Sequence, residues 1–173
     1  MHAAELYRAV TKDVAGLYEH LLDILDREAF AYCLVDGQAV NAYVEPLVSL
    51  DVDFVIAPDD LERALEVLGR EFALERFPNT INVSSAASSL RAQIQMDPRY
   101  RDFVTRAERR EVLGRTIPVA AIEDLLQGKV WAASDPGRRP SKRQKDLADI
   151  ARIIEAYPEL RARVPEEIVS RLE

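Results

Sequence analysis

The segment SLDVDFVIAPDD, Ser49 to Asp60, sets the fold class. Leu50, Val52, Phe54 and Ile56 alternate with Asp51, Asp53 and Val55, the period of a β-strand. Val55 and Ile56 make the far end apolar on both faces, which suits a central strand covered by helices on each side. Pro58 and Asp59 then open a helical pattern. A central strand flanked by helices points to an α/β (α+β) domain.

Two carboxylates on such a strand need an explanation. Residues i and i+2 project from one face with Cα atoms ~6.5–7 Å apart, so Asp51 and Asp53 point together. Two like charges on one face repel, and burying them without compensation costs several kcal/mol. A half-exposed edge strand would leave both in water. The apolar far end favours instead an interior position in which a divalent cation, Mg²⁺ or Mn²⁺, offsets the charge. Mg²⁺ typically takes one or two protein carboxylates together with substrate phosphates.

The rest of the chain supplies the partners of that strand. Leu6, Val10, Val14, Leu17, Leu21, Leu22 and Leu25 recur at helical spacing, so a helix is expected over residues 3–28. FAYCLV (30–35) reads as a buried strand, GQAVNAYV as a helix closed near Pro46, and DDLERALEVLGREF as a helix capped by Asp and ending near Gly69. FALERF, TINVSS and LRAQIQM are strand patterns. DPRYRDFVTRAERR shows no clear period, and REVLGRTIPVA reads as a hairpin turning at Gly114-Arg115. AIEDLLQGKVWAASD, SKRQKDLADIARIIEAY (with Ser141 as N-cap) and PEEIVSRLE are helical, with DPGRRPSK as a loop. The expected architecture is a small mixed sheet with flanking helices, a core over 1–120 and a C-terminal helical cap over 121–173.

Composition excludes several function classes. Thirty acidic against 23 basic residues give a net charge of −7, which argues against broad nucleic-acid binding. The single Cys33 lies in an apolar run and reads as a buried thiol; neither a disulfide nor a zinc site follows from one cysteine. No apolar run reaches the ~20 residues of a membrane span, and the N-terminal segment reads as a charged amphipathic helix rather than a leader, so a cytoplasmic protein is expected. His2 and His20 fall in that first helix, away from any constellation. Trp131 and Tyr157 fall at helical positions and read as core.

Upstream of the carboxylates, LVDGQAVNAY runs from strand to helix through Asp36-Gly37. Free backbone N–H groups at a helix start suit phosphate, and glycine permits close approach. Taken together, LVDGQAVNAYVEPLVSLDVDFV resembles the nucleotidyltransferase signature of a glycine turn followed by a strand with Asp-x-Asp. The closer resemblance is to AbiEii-type (abortive-infection toxin) nucleotidyltransferases. In those a GGxA helix start precedes T/S-x-D-x-D, and a downstream Lys and a Lys-Asp-x-x-Asp helix follow. QGKVWAA supplies Lys129, and RQKDLADIARIIE supplies Lys145, Asp146 and Asp149. Asp36 departs from the pattern by replacing the first Gly, Leu47 stands where Arg is frequent, and LRAQIQMD offers Gln93 and Gln95 where a third acid would help, with Asp97 only at its end.

The resemblance implies transfer of a nucleoside monophosphate from an NTP to an acceptor, with tRNA, a small molecule such as an antibiotic, or a phosphate as the receiving group. It implies Asp51 and Asp53 as Mg²⁺ ligands, Gly37, Gln38 and Ser49 near the phosphates, and Lys129 on the leaving pyrophosphate. Lys129 or Lys145 would contact the NTP, with Asp146 or Asp149 orienting them. The same residues on a solvated helix would form ordinary i,i+4 ion pairs. GRRPSKRQK gathers Arg138, Arg139, Lys142, Arg143 and Lys145 in an otherwise acidic protein, a patch suited to NTP phosphates or an RNA acceptor. A toxin-like role with an antitoxin partner follows from the same resemblance. The alternative is a binding or regulatory module that keeps the fold without transfer.

Overall fold

The computed structural model describes residue 5 and residues 16–172. His2, Leu6, Val10 and Val14 lie outside the described residues; the expected first helix is seen as α1, Leu17–Arg27. It buries Leu17, Leu21, Leu22, Ile24 and Leu25 along one stripe. Strand β1 (Tyr32–Val35) follows, then α2 (Asp36–Val40), β2 (Asp51–Ile56) and α3 (Pro58–Leu68). Strands β3 (Ala73–Arg76), β4 (Thr80–Ser84) and β5 (Arg91–Gln95) come next. A 3₁₀ segment over Pro98–Arg106 leads into β6 (Glu108–Val112) and β7 (Arg115–Val119). The chain closes with α4 (Ile122–Ser134), α5 (Pro140–Ala156), a 3₁₀ turn over Pro158–Arg163 and α6 (Glu166–Val169).

The seven strands form one mixed sheet in the order β3-β4-β5-β2-β1-β7-β6. β2 is the central strand, as its apolar far end demands. It runs antiparallel to β1 and parallel to β5. The register sets Asp53 between Val35 and Gln93, and Asp51 beside Arg91.

The two faces carry different layers. Tyr32 and Phe54 meet edge to face at 6.0 Å, and the Tyr32 hydroxyl donates to Asp26 at 2.9 Å, so α1 covers that face and α3 packs on α1. Asp51, Asp53, Cys33 and Val35 point to the opposite face, where α4 packs along both α2 and α5. Cys33 is buried, and desolvation pushes its thiol up to about 12, in keeping with an inert core thiol.

Several local expectations change. Leu50 lies outside β2 and is 39% exposed. The helix expected over GQAVNAYV shrinks to five residues, because Asn41 turns its side chain onto the following loop. Its amide donates to Leu47 C=O (2.6 Å) and its oxygen accepts from Leu47 N–H (3.0 Å). The cap of α3 is Ala57, since Pro58 occupies the first helical position, where its fixed φ suits a helix start; Asp60 instead accepts from Ala31 N–H at 2.8 Å. Pro140 displaces Ser141 from the cap of α5 for the same reason, leaving Arg139 there. The charged, aperiodic stretch forms the 3₁₀ segment, capped by Asp97, which accepts from Arg99 N–H at 3.0 Å. The hairpin turns at Leu113-Gly114, both with positive φ, and Arg115 opens β7. Trp131 is partly buried, stacked on Phe103 at 6.0 Å with Arg99 above it at 4.9 Å.

Candidate active site

The two strand carboxylates meet two adjoining cavities. One, of about 100 Å³, is lined by Gly37, Ser49, Asp51, Lys142, Lys145 and Asp149 among others. The other, of about 130 Å³, is lined by Asp53, Thr80, Gln93, Gln95, Tyr100 and Phe103 among others. Asp36, Lys129 and Arg138 form the wall common to both. Asp51 and Asp53 thus face a cleft rather than open solvent.

Each oxygen of Asp51 is covered by a cation. Lys142 Nζ donates to Oδ2 at 3.2 Å. Arg91 Nε lies 2.8 Å from Oδ1, yet Oδ1 is sealed from solvent without an aligned hydrogen bond. Asp53 has no such cover. Burial, then Asp36, then Asp51 push its carboxyl well above the usual carboxylate range, against the pull of Lys129 and Lys142. The neighbour on β5 is Gln93, whose amide donates to Asn82 at 3.0 Å. Among the described residues no three His, Cys, Asp or Glu side chains gather as a metal site.

Lys129 is the hub of the shared wall. Its side chain is 6% exposed and its ammonium pairs with Asp36, with Asp149 at 2.8 Å and with Asp146 at 3.2 Å. Burial disfavours that charge, but Asp36, Asp149 and Asp146 together outweigh it and hold the ammonium well above its ordinary range. Asp36 stands at the β1–α2 junction with φ 63, a left-handed conformation that Asp tolerates better than most residues. Burial opposes its ionisation, yet Lys129, Arg138 and Lys142 hold its carboxyl below the usual range. Arg138 grips Asp146 through two bonds of 2.8 and 3.1 Å. Arg152 pairs with Asp149 at 2.7 Å and reaches Asn41 and the carbonyl of Glu45.

The loop before β2 is held equally tightly. Gln38 is buried and its amide donates to Ser49 C=O at 2.7 Å, so it braces the loop rather than lining the cavity. A Cβ added at Gly37 would sit 3.1 Å from Ser49 Oγ, so a side chain there would press on the Ser49 hydroxyl. Lys145 is exposed, lines the cavity and makes no ion pair among the described residues.

The structure therefore brings Gly37, Ser49, Asp51, Lys129, Lys145, Asp146 and Asp149 around one cavity and Asp53 beside the next. Arg91, Asn41 and Arg152 escape a linear reading. Arg91 meets Asp51 40 residues away through sheet register, and Arg152 meets Asn41 and Glu45 111 and 107 residues away through helix packing. Only the β2–β5 pairing reveals Arg91.

A sequence model of the family described as nucleotidyl transferase AbiEii toxin, Type IV TA system, matches residues 43–172. The chain belongs to the AbiEii nucleotidyltransferase family. The match covers Asp51, Asp53, Lys129, Lys145, Asp146 and Asp149, and begins after the Asp36–Gln38 turn. No curated protein sequence matches the chain. Solved structures of nucleotidyltransferases share its fold. The lincosamide antibiotic adenylyltransferase LnuA superposes with a TM-score of 0.55 at 12% identity, over 79% of this chain and 95% of that one. An antigenic nucleotidyltransferase-like protein from Paracoccidioides brasiliensis gives 0.53 at 18% identity, over 78% and 72%. The antibiotic-resistance factor ANT(2'')-Ia gives 0.50 at 12% identity, over 85% and 90%. At these identities the likeness concerns the fold. No helix among the described residues is long and apolar enough to cross a membrane.

Proposed function

We propose that this AbiEii-family protein transfers a nucleoside monophosphate from an NTP to an acceptor hydroxyl. The observation that carries the reading is the same-face Asp51–Asp53 pair opening on a cleft whose rim bears Lys142, Lys145 and Arg138. A divalent cation fits this pair. Asp53 is crowded by two further carboxylates and has no paired cation, while Asp51 Oδ1 beside it is sealed without an aligned donor, so an ion there would supply the charge that Asp53 lacks. Asp51 and Asp53 would hold Mg²⁺ or Mn²⁺, with substrate phosphates completing its shell. When bound, such an ion supplies charge neutralisation and Lewis acidity at phosphate oxygens.

The chain's own residues do the rest. The basic cavity receives the triphosphate, with Ser49 and the Gly37 turn close to it. Lys129 is balanced by three carboxylates and shapes the wall, so Lys145 and Lys142 are the cations available to the pyrophosphate as it leaves. The acceptor oxygen bonds to the α-phosphorus as the bond to the bridging oxygen breaks. Its proton passes to solvent. The family description supports a toxin role with an antitoxin partner, and co-expression with a neighbouring gene product should relieve growth arrest.

The test is calorimetric titration of each NTP with and without Mg²⁺, followed by transfer of labelled NTP to total tRNA or to aminoglycoside and lincosamide acceptors. Asp51→Ala is expected to abolish metal-dependent binding and lower transfer by at least ~100-fold. The Gln93 neighbour and the capped Asp51 favour a second reading, nucleotide binding without transfer. Metal-independent NTP binding that survives Asp51→Ala, with no labelled product, selects it.

A further inference from the structure

We propose that Arg91 and Lys142 are stand-in cations at Asp51, so that a divalent cation enters with the nucleotide rather than ahead of it, Lys142 passing from Asp51 to the triphosphate. The inference rests on the reading of the cleft as a metal–nucleotide site. It starts from the unequal surroundings of the paired carboxylates. Asp51 has a guanidinium nitrogen 2.8 Å from one oxygen and an ammonium 3.2 Å from the other, whereas Asp53 has neither. A metal ion reaching Asp51 alone must displace both cations and then sit among them, where like charges repel. The contact with Arg91 is short but not aligned as a hydrogen bond, and the Arg91 side chain is 66% exposed, so it is a cover that can swing into water. Lys142 lines the phosphate cavity and needs only to turn from the carboxylate to a phosphate oxygen. An incoming NTP thus releases Asp51 for the metal. Metal and nucleotide then strengthen each other's binding by one and the same factor.

The two cations differ in one respect that separates this device from simple packing. Arg91 does not line the phosphate cavity; Lys142 does. Methionine at either position preserves the apolar stem and removes the charge, and both sites are exposed enough to fold unchanged. The experiment is Mn²⁺ titration of the full chain by electron paramagnetic resonance, without nucleotide and with a non-hydrolysable ATP analogue, alongside circular dichroism of each variant. Arg91→Met is expected to raise Mn²⁺ affinity without nucleotide several-fold, leave analogue affinity near wild type and shrink the coupling. Lys142→Met is expected to raise Mn²⁺ affinity without nucleotide as well, while weakening the analogue several-fold. Asp51→Asn serves as the control that loses Mn²⁺ throughout. Mn²⁺ affinity that stays the same or falls in both methionine variants overturns the inference while leaving nucleotidyl transfer intact. A wild-type protein that binds no Mn²⁺–analogue complex overturns both.

Discussion

Asp53 is the residue on which stability and function pull apart. Its folded-state carboxyl is raised, first by burial and then by Asp36 and Asp51. A carboxyl whose pKa is raised in the folded state favours the fold while it carries its proton. That contribution is fully present below the unfolded value and is lost as pH rises through the folded one. Above the ordinary carboxylate range, folding must bury a charge or hold a proton at Asp53, so the residue costs stability at neutral pH. Asp53→Asn should raise the melting temperature by a few degrees at pH 7, with the gain fading as pH approaches 4, when melting curves are compared across pH. The same variant should lose transfer. Lys129 gives the opposite result. Lys129→Met leaves a buried wall of carboxylates without their shared cation, a loss of about 3–5 kcal/mol for a broken buried pair. In a domain of this size that lowers the melting temperature by roughly 6–15 °C. Asp36→Asn should cost less, because that side chain keeps 41% exposure.

At the scale of elements, what the sequence reveals depends on whether a pattern is local. β2 and β5 are legible because every second residue is apolar, and the shared face of Asp51 and Asp53 follows from the strand period alone. Cys33 in its apolar strand reads correctly for the same reason. The short α2 is not legible, since its end is decided by Asn41 bonding both backbone groups of Leu47 and by Arg152 arriving from α5. Nor is the 3₁₀ segment over Pro98–Arg106, whose buried residue is Phe103 amid charge. Gln38 reads as a phosphate contact by its place after Gly37, while packing turns it onto Ser49. Asn41→Ala tests the loop. It should cost about 1–2 kcal/mol and speed amide exchange over residues 42–50 while leaving the β4–β5 ladder protected. NTP affinity should fall as Ser49 loses its fixed place.

Over the whole molecule, charge limits the acceptor. With a net charge of −7, the rim beside α5, which faces the cleft, is the basic surface placed to meet a polyanion at the site. Arg138 is spent on Asp146 and Arg143 on backbone carbonyls, so among the described residues Arg139 and Lys145, with Lys142 once it leaves Asp51, are the cations left there. Contacts with about three phosphates give a log–log salt slope near −2 for single-stranded RNA. A tRNA acceptor should therefore dissociate only gently as salt rises from 50 to 200 mM in a filter-binding series; a slope of −6 or steeper would require a second basic surface.

Arg152 has a practical corollary. It ties the last long helix to the loop ahead of β2, and Lys129 ties the preceding helix to the turn after β1. Anyone dividing this protein into complementing halves for a reporter assay must cut elsewhere. A break between β7 and α4 would part Asp36 from Lys129 and Asp51 from Lys142. The exposed turn around residues 85–89 is the place to open the chain.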